Sequence, residues 1–186
     1  MAAVWSLLVY VVLPLWVIAG FLDYLCHRQS DIEHATGVRE SLIHWLMLLE
    51  VALPLVLAVF FRINAMVLAL MLVCLIAHEI TGYMDLRLAM ATRKVTIFEH
   101  QVHSVLEILP LTAILLVMVL HWPQTEALVG LGHEAADFSF GPKQVPRWGE
   151  ILPPVAAFVF LVLVPYAEEM WRGRTVKQVR PRPGSR

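Results

Sequence analysis

Three carboxylate–histidine pairs recur at one spacing in this chain: Asp23/His27, Glu40/His44 and Glu99/His103. Four residues make one helical turn plus about 40°, so each pair puts both side chains on one helix face. A fourth pair, His78/Asp85, is two turns apart and again shares a face. His100 and Glu107 flank His103, one turn to either side. Imidazoles and carboxylates together are the ligands of hard and borderline cations, and in helical bundles the mixed set suits iron or manganese. The expected site is therefore a metal centre with Asp23, His27, Glu40, His44, His78, Asp85, His100, His103 and Glu107 as ligands. Glu33 and Glu99 stand next in line. The number of ligands points to two ions, and iron leads, with zinc and manganese also compatible with these residue types. Haem fits less well, because carboxylates at its edge would have no work to do.

A lone histidine near a helix end is more often a hydrogen-bonded or interfacial residue than a ligand. What distinguishes His27, His44, His78, His100 and His103 is an acid one or two turns from each. His121 and His133 lack that helical pattern, and His34 lies off the stripe formed by Glu33 and His44. The acids have a competing use as salt-bridge partners of Arg28, Arg39, Arg87 and Arg93, and Asp31 and Glu79 are expected to be of that kind.

The elements that must position these residues are apolar. The chain is 59% hydrophobic over 186 residues with a mean hydropathy of +0.72, too apolar for an ordinary soluble domain. Residues 4–25, 42–61, 63–80, 100–120 and 151–166 can each cross a bilayer, the fifth being the shortest. The fold class expected is all-α: a polytopic membrane bundle of about five helices, one domain over residues 1–170. A basic tail without fixed structure is expected over 171–186. The first stretch has no basic leader and stays apolar too far for a signal-peptide core, so it reads as a retained span. Cys26 and Cys74 form no paired motif, and nothing points to nucleic acid.

The joints are legible too. Ser30–Glu33 and Thr96–Glu99 both have the spacing of a capping box, the second giving Glu99 a structural role that competes with a ligand role. Residues 61–64 read as a tight turn and residues 123–149 as a longer loop. Arg28, Arg39, Arg87, Arg93, Lys94 and the basic tail fall on one side, against Arg62, Lys143 and Arg147 on the other. That asymmetry places the N-terminus outside and the C-terminus in the cytoplasm. All the acid–histidine pairs then fall at the cytoplasmic end, in what reads as a bacterial inner (plasma) membrane. Arg39 and Arg93 are placed to hold an anionic head group or to anchor helices in anionic lipid. Tyr24, Trp45 and Tyr83 sit close to the pairs, where an interfacial aromatic belt explains them more simply than radical chemistry. Glu50 is deeper, about 15 Å along the helix from Glu40, where a charge is costly unless paired or protonated.

The function that follows is a membrane oxidoreductase acting on a lipid-like or other hydrophobic substrate, supplied by an electron donor. A b-type cytochrome and a zinc-dependent membrane hydrolase are the alternatives, with a cation transporter or a structural subunit behind them. The histidine boxes of membrane desaturases (HxxxH, HxxHH), the ExxH pairs of ferritin-like bundles and the HExxH of zinc proteases are all missing. The analogy with those proteins is one of ligand logic only.

Overall fold

The computed structural model describes residues 1–143 and 148–179. These residues form helices α1 (Ala2–Gln29), α2 (Ile32–Ala35), α3 (Val38–Phe60), α4 (Ala65–Thr92), α5 (Ile97–Leu120), α6 (Trp122–Leu128) and α7 (residues 148–179), with no strand among them. Five of the seven are long and apolar enough to cross a membrane: α1, α3, α4, α5 and the 152–176 stretch of α7. The molecule is an all-α bundle with the architecture of an integral membrane protein, and its outer surface carries exposed side chains such as Leu15, Leu49, Ile76, Ile108 and Phe160. Without water to satisfy backbone groups, helices are the form that lets each span bond internally.

Several boundaries differ from the sequence expectation for identifiable reasons. Helix α4 continues twelve residues beyond position 80, because Thr81, Gly82, Asp85 and Ala89 form its buried stripe and a hydropathy reading stops at the polar members. The loop after α5 contains the short helix α6. Helix α7 does not end at 166, and the tail expected from 171 is helical to Val179. Arg172 bonds Glu33 and Glu168, tying that stretch to α2. Residues 180–186 lie outside the described residues. The expected capping box at Ser30 is not formed; the hydroxyl of Ser30 donates to the carbonyl of His27 and closes α1 instead. Gly37, at φ +59° and ψ −135°, breaks the stripe of Glu33, Glu40 and His44 by separating α2 from α3. Only glycine adopts that conformation without strain.

Two π-helical turns have a common cause. Leu8–Val12 precedes Pro14, and Val159–Leu163 precedes Pro165. A proline removes the bond to the carbonyl four residues earlier and its ring clashes there. Those carbonyls belong to Tyr10 and Leu161, at the centre of each widened turn.

The bundle is divided along its length. One half holds an apolar core of Leu8, Val12, Leu57, Val67, Leu68, Met71, Leu75, Leu109, Ile114 and Val117. At that end the α3–α4 turn is fastened by Asn64, which caps α4 through Val67 N–H and donates to the carbonyl of Ser139. The other half buries charge. Helix α7 closes it, with Val162 against Gly20 of α1 and Gly173 against the backbone of Gly37 and Val38. A Cβ at Gly173 would lie 3.3 Å from that backbone, so the absence of a side chain there sets the approach of α7 to Gly37 and Val38.

Candidate metal centre

Helix α1 ends with Asp23 and His27, α3 begins with Glu40 and His44, α4 brings Asp85 in its penultimate turns, and α5 begins with Glu99 and His103. All seven are buried, and they meet at one end of the bundle. Glu169 of α7, also buried, joins them.

Glu169 organises the cluster. The Nδ1–H of His27 donates to its Oε2 at 3.0 Å, and the Nδ1–H of His44 donates to its Oε1 at 3.0 Å. Ser41 Oγ donates to Oε1 as well, at 2.9 Å. An ionised carboxylate only accepts, so both rings must carry their proton on Nδ1 toward Glu169. With neutral rings, each Nε2 is a lone pair facing inward. The two rings stack nearly parallel, 6° apart in plane, with centroids separated by 4.4 Å. A carboxylate holding the outer nitrogen of a histidine is the usual device for orienting a metal ligand and raising its basicity.

The inward atoms form a set of their own. Asp23 Oδ1, His27 Nε2, His44 Nε2, Asp85 Oδ1, Glu99 Oε1 and His103 Nε2 are all buried without an aligned hydrogen-bond partner. They are nonetheless close: His103 Nε2 lies 2.9 Å from Asp23 Oδ1, and His44 Nε2 lies 3.2 Å from Asp85 Oδ1. His27 Nε2 lies 3.5 Å from Asp23 Oδ2 and 3.9 Å from Glu99 Oε1. Ligand atoms about 2.0–2.2 Å from a shared ion sit roughly 3–4 Å from one another. The spacing of these atoms is compatible with ligands that share an ion. Among the described residues three groups have ligand atoms within 4.8 Å of one another: two buried here, Asp23/His27/His103 and His27/Glu40/His44, and one nearer the surface, Asp31/Glu33/His34.

The second carboxylate oxygens are used differently. Asp23 Oδ2 accepts from the hydroxyl of Tyr166 at 2.7 Å. Glu99 closes the capping box of α5, its Oε2 accepting from Thr96 N–H. Glu99 therefore caps with one oxygen and meets Arg93 with the other, at the edge of the cluster. Glu40 accepts from the hydroxyl of Thr36 and, at 2.6 Å, from Arg93 Nη2, which also lies 2.6 Å from Glu99 Oε1. Arg93 thus stands between two of the acids as a permanent cation.

Not every residue expected in the centre is there. Glu33 is turned away and bonds Arg172, because Gly37 redirects the chain after α2. His100 is exposed, on the side of α5 turned away from the buried Glu99 and His103. Glu107 is half-buried and packs where Gly82 of α4 leaves room. His78 is buried deeper along α4, 3.7 Å from Glu50 and facing the carbonyls of Leu106 and Met47. The first of these lacks its helical partner, because residue 110 is proline. The hydroxyl of Thr81 holds the other oxygen of Glu50 at 2.9 Å. His78 and Glu50 thus form a separate polar layer. His100→Ala and Glu107→Ala should each retain the wild-type metal content by elemental analysis, whereas His103→Ala should lose most of it. Equal loss in all three would mean that the cluster has been drawn in the wrong place.

Glu169, Ser41 and Tyr166 are not among the sequence candidates; Arg93, expected as a salt-bridge partner of the acids or at a head group, pairs with Glu40 and Glu99. The missed signal was a stripe. Val162, Tyr166, Glu169 and Gly173 follow a 4–3–4 spacing and are all buried on one face of α7. No protein-family model, no curated protein and no solved structure matches this chain.

Proposed function

We propose that this chain is an integral membrane metalloprotein whose buried cluster holds two iron ions, and that it is an oxidoreductase acting on a hydrophobic or amphiphilic substrate. One observation carries the reading. Three imidazole nitrogens and the carboxylate oxygens of Asp23 and Asp85 lie close together, buried and without aligned hydrogen bonds, while Glu169 holds two of the rings from behind.

Charge supports it. Asp23, Glu40, Asp85, Glu99 and Glu169 are five buried carboxylates against the single guanidinium of Arg93. With neutral histidines, four negative charges stand uncompensated in a medium where each is expensive to desolvate. Two divalent cations would cancel them. Asp23, His27, His103 and Glu99 suit one ion. His44 and Asp85, with Glu40, suit the second, because His27 has only one nitrogen left to offer. The mixture of hard oxygens and borderline imidazoles favours iron or manganese over an all-nitrogen or thiolate metal. The stacked rings of His27 and His44 leave no space for a macrocycle between their Nε2 atoms, which favours ions over haem.

When bound, such ions supply redox and Lewis-acid chemistry. The protein's part is to fix the ligands, keep water out and deliver a proton where needed. The lipid-facing surface suits a substrate that arrives through the bilayer. Arg28, Arg39, Arg87, Arg93, Lys94, Arg172 and Arg174 gather at the cluster's end, which supports a cytoplasmic orientation for that end and access for a soluble electron donor. A bacterial inner membrane is the setting we propose.

The oxidoreductase part has its own test. Iron-loaded, reduced protein should consume dioxygen in proportion to its concentration, and His27→Ala should abolish the uptake. Equal uptake by both would remove the redox reading and leave only metal binding.

A further inference from the structure

Tyr166 is set apart from the other aromatic residues near the cluster. It is buried, and its hydroxyl donates at 2.7 Å to Asp23 Oδ2, the oxygen that also lies 3.5 Å from His27 Nε2. Its ring meets those of His44 and His27 edge-on, with centroids 5.4 and 6.4 Å away. Tyr24, by contrast, donates outward to Glu168 and accepts from Arg28. Trp45 follows His44 in sequence, but its indole N–H is buried without an acceptor to take the proton. Cys26 is a buried thiol with no hydrogen bond to a cluster carboxylate among the described residues.

A phenol loses an electron readily only when its proton leaves at the same time, because the protonated radical cation is a very strong acid. The tyrosine that can act as an electron source must therefore touch both an oxidant and a base. Tyr166 does: Asp23 Oδ2 is the base, and Asp23 Oδ1, His27 and His44 are the cluster itself. Burial also keeps water and other reductants from the ring. A purely structural role for the hydroxyl, holding Asp23 in orientation, needs neither the ring contacts with two histidines nor the absence of solvent.

We infer that Tyr166 is a redox-active residue that passes one electron to the metal centre and its phenolic proton to Asp23. This rests on the iron reading above. The oxidant is dioxygen, acting through the metal centre. With iron bound and oxidised, the O–H bond of Tyr166 would break, its proton would pass to Asp23 Oδ2 and its electron would go to the iron. A neutral tyrosyl radical remains, to be refilled by the electron donor or by a hydrogen atom from substrate.

The test is electron paramagnetic resonance on full-length protein in detergent, iron-loaded, reduced and then frozen shortly after mixing with dioxygen. The expected result is an organic-radical signal whose hyperfine splitting narrows when the protein contains ring-deuterated tyrosine and is unchanged with deuterated tryptophan. Tyr166→Phe should lose the signal while keeping wild-type iron content, which shows that the cluster still forms. Tyr24→Phe should keep the signal. Iron present with no radical, a radical that persists in Tyr166→Phe, or one that responds to deuterated tryptophan would each overturn this role and leave the metal reading standing. Failure to bind iron would overturn both, and elemental analysis of the same sample separates the two cases.

Discussion

Glu169→Ala should strip the centre of most of its metal although no metal need touch Glu169. The carboxylate is the shared acceptor for the Nδ1–H groups of His27 and His44, and it fixes which nitrogen of each ring faces inward. Removing one such outer partner typically costs about 10–100-fold in metal affinity. Here one residue serves two rings, so the loss should reach at least the upper end of that range. Glu169→Gln should be intermediate. Its amide oxygen can accept from one ring, but its NH2 group then faces the N–H of the other. The adjacent Glu168 is the control: it bonds Tyr24, Arg28 and Arg172 and no cluster group, so Glu168→Ala should keep its metal. Affinities measured by competition with a coloured chelator decide the matter. Unchanged affinity in Glu169→Ala would show that the two rings are not oriented for a metal.

Removing the metal should destabilise the wild-type protein and invert the effect of neutralising an acid. A ligand present at a thousandfold excess over its dissociation constant contributes about 4 kcal/mol to folding. Chelation should therefore lower the unfolding temperature in detergent clearly, and leave a cluster with four uncompensated negative charges. In that state Asp85→Asn removes one repelling charge and should raise the unfolding temperature above that of metal-free wild type. In the metal-bound state the same change removes a ligand and should lower it. The competing account is a salt-bridged collar in which His27, His44 and His103 are protonated and pair with the acids. That account predicts no response to chelator and destabilisation by Asp85→Asn in every condition, since it breaks a buried pair. The sign of the Asp85→Asn effect without metal separates the two.

Much of this could be read from the chain, and the parts that could not share a cause. The i,i+4 pairs Asp23/His27, Glu40/His44 and Glu99/His103 depend only on helical geometry, and the structure brings all six residues together. The spans follow from hydropathy, which is why five helices were legible and their ends were not. α4 continues past residue 80 and α7 past residue 166 because polar residues there are satisfied by neighbours from other helices. Tertiary partners are what a linear reading lacks. Glu169 was invisible for that reason: its importance lies in His27 and His44, more than a hundred residues away in sequence. Glu33 and His100 failed in the opposite sense. Each had the right spacing from a true cluster member, but Gly37 turned one aside and the phase of α5 exposed the other. His78 shared a face with Asp85 and is buried, yet two turns of α4 are about 10 Å, which puts it in the layer of Glu50 instead.

The central claim is that the converging nitrogens and oxygens hold metal, and it is tested most directly by counting metal in the detergent-purified protein, with an absorption spectrum of the same sample. The account predicts roughly two irons per chain, the stoichiometry of carboxylate-bridged di-iron bundles, with no haem band. It also predicts a clear loss of iron in His27→Ala, whose one inward nitrogen serves one of the two ions. A protein that carries no metal after anaerobic loading with ferrous iron, or that carries as much in His27→Ala as in wild type, would contradict it.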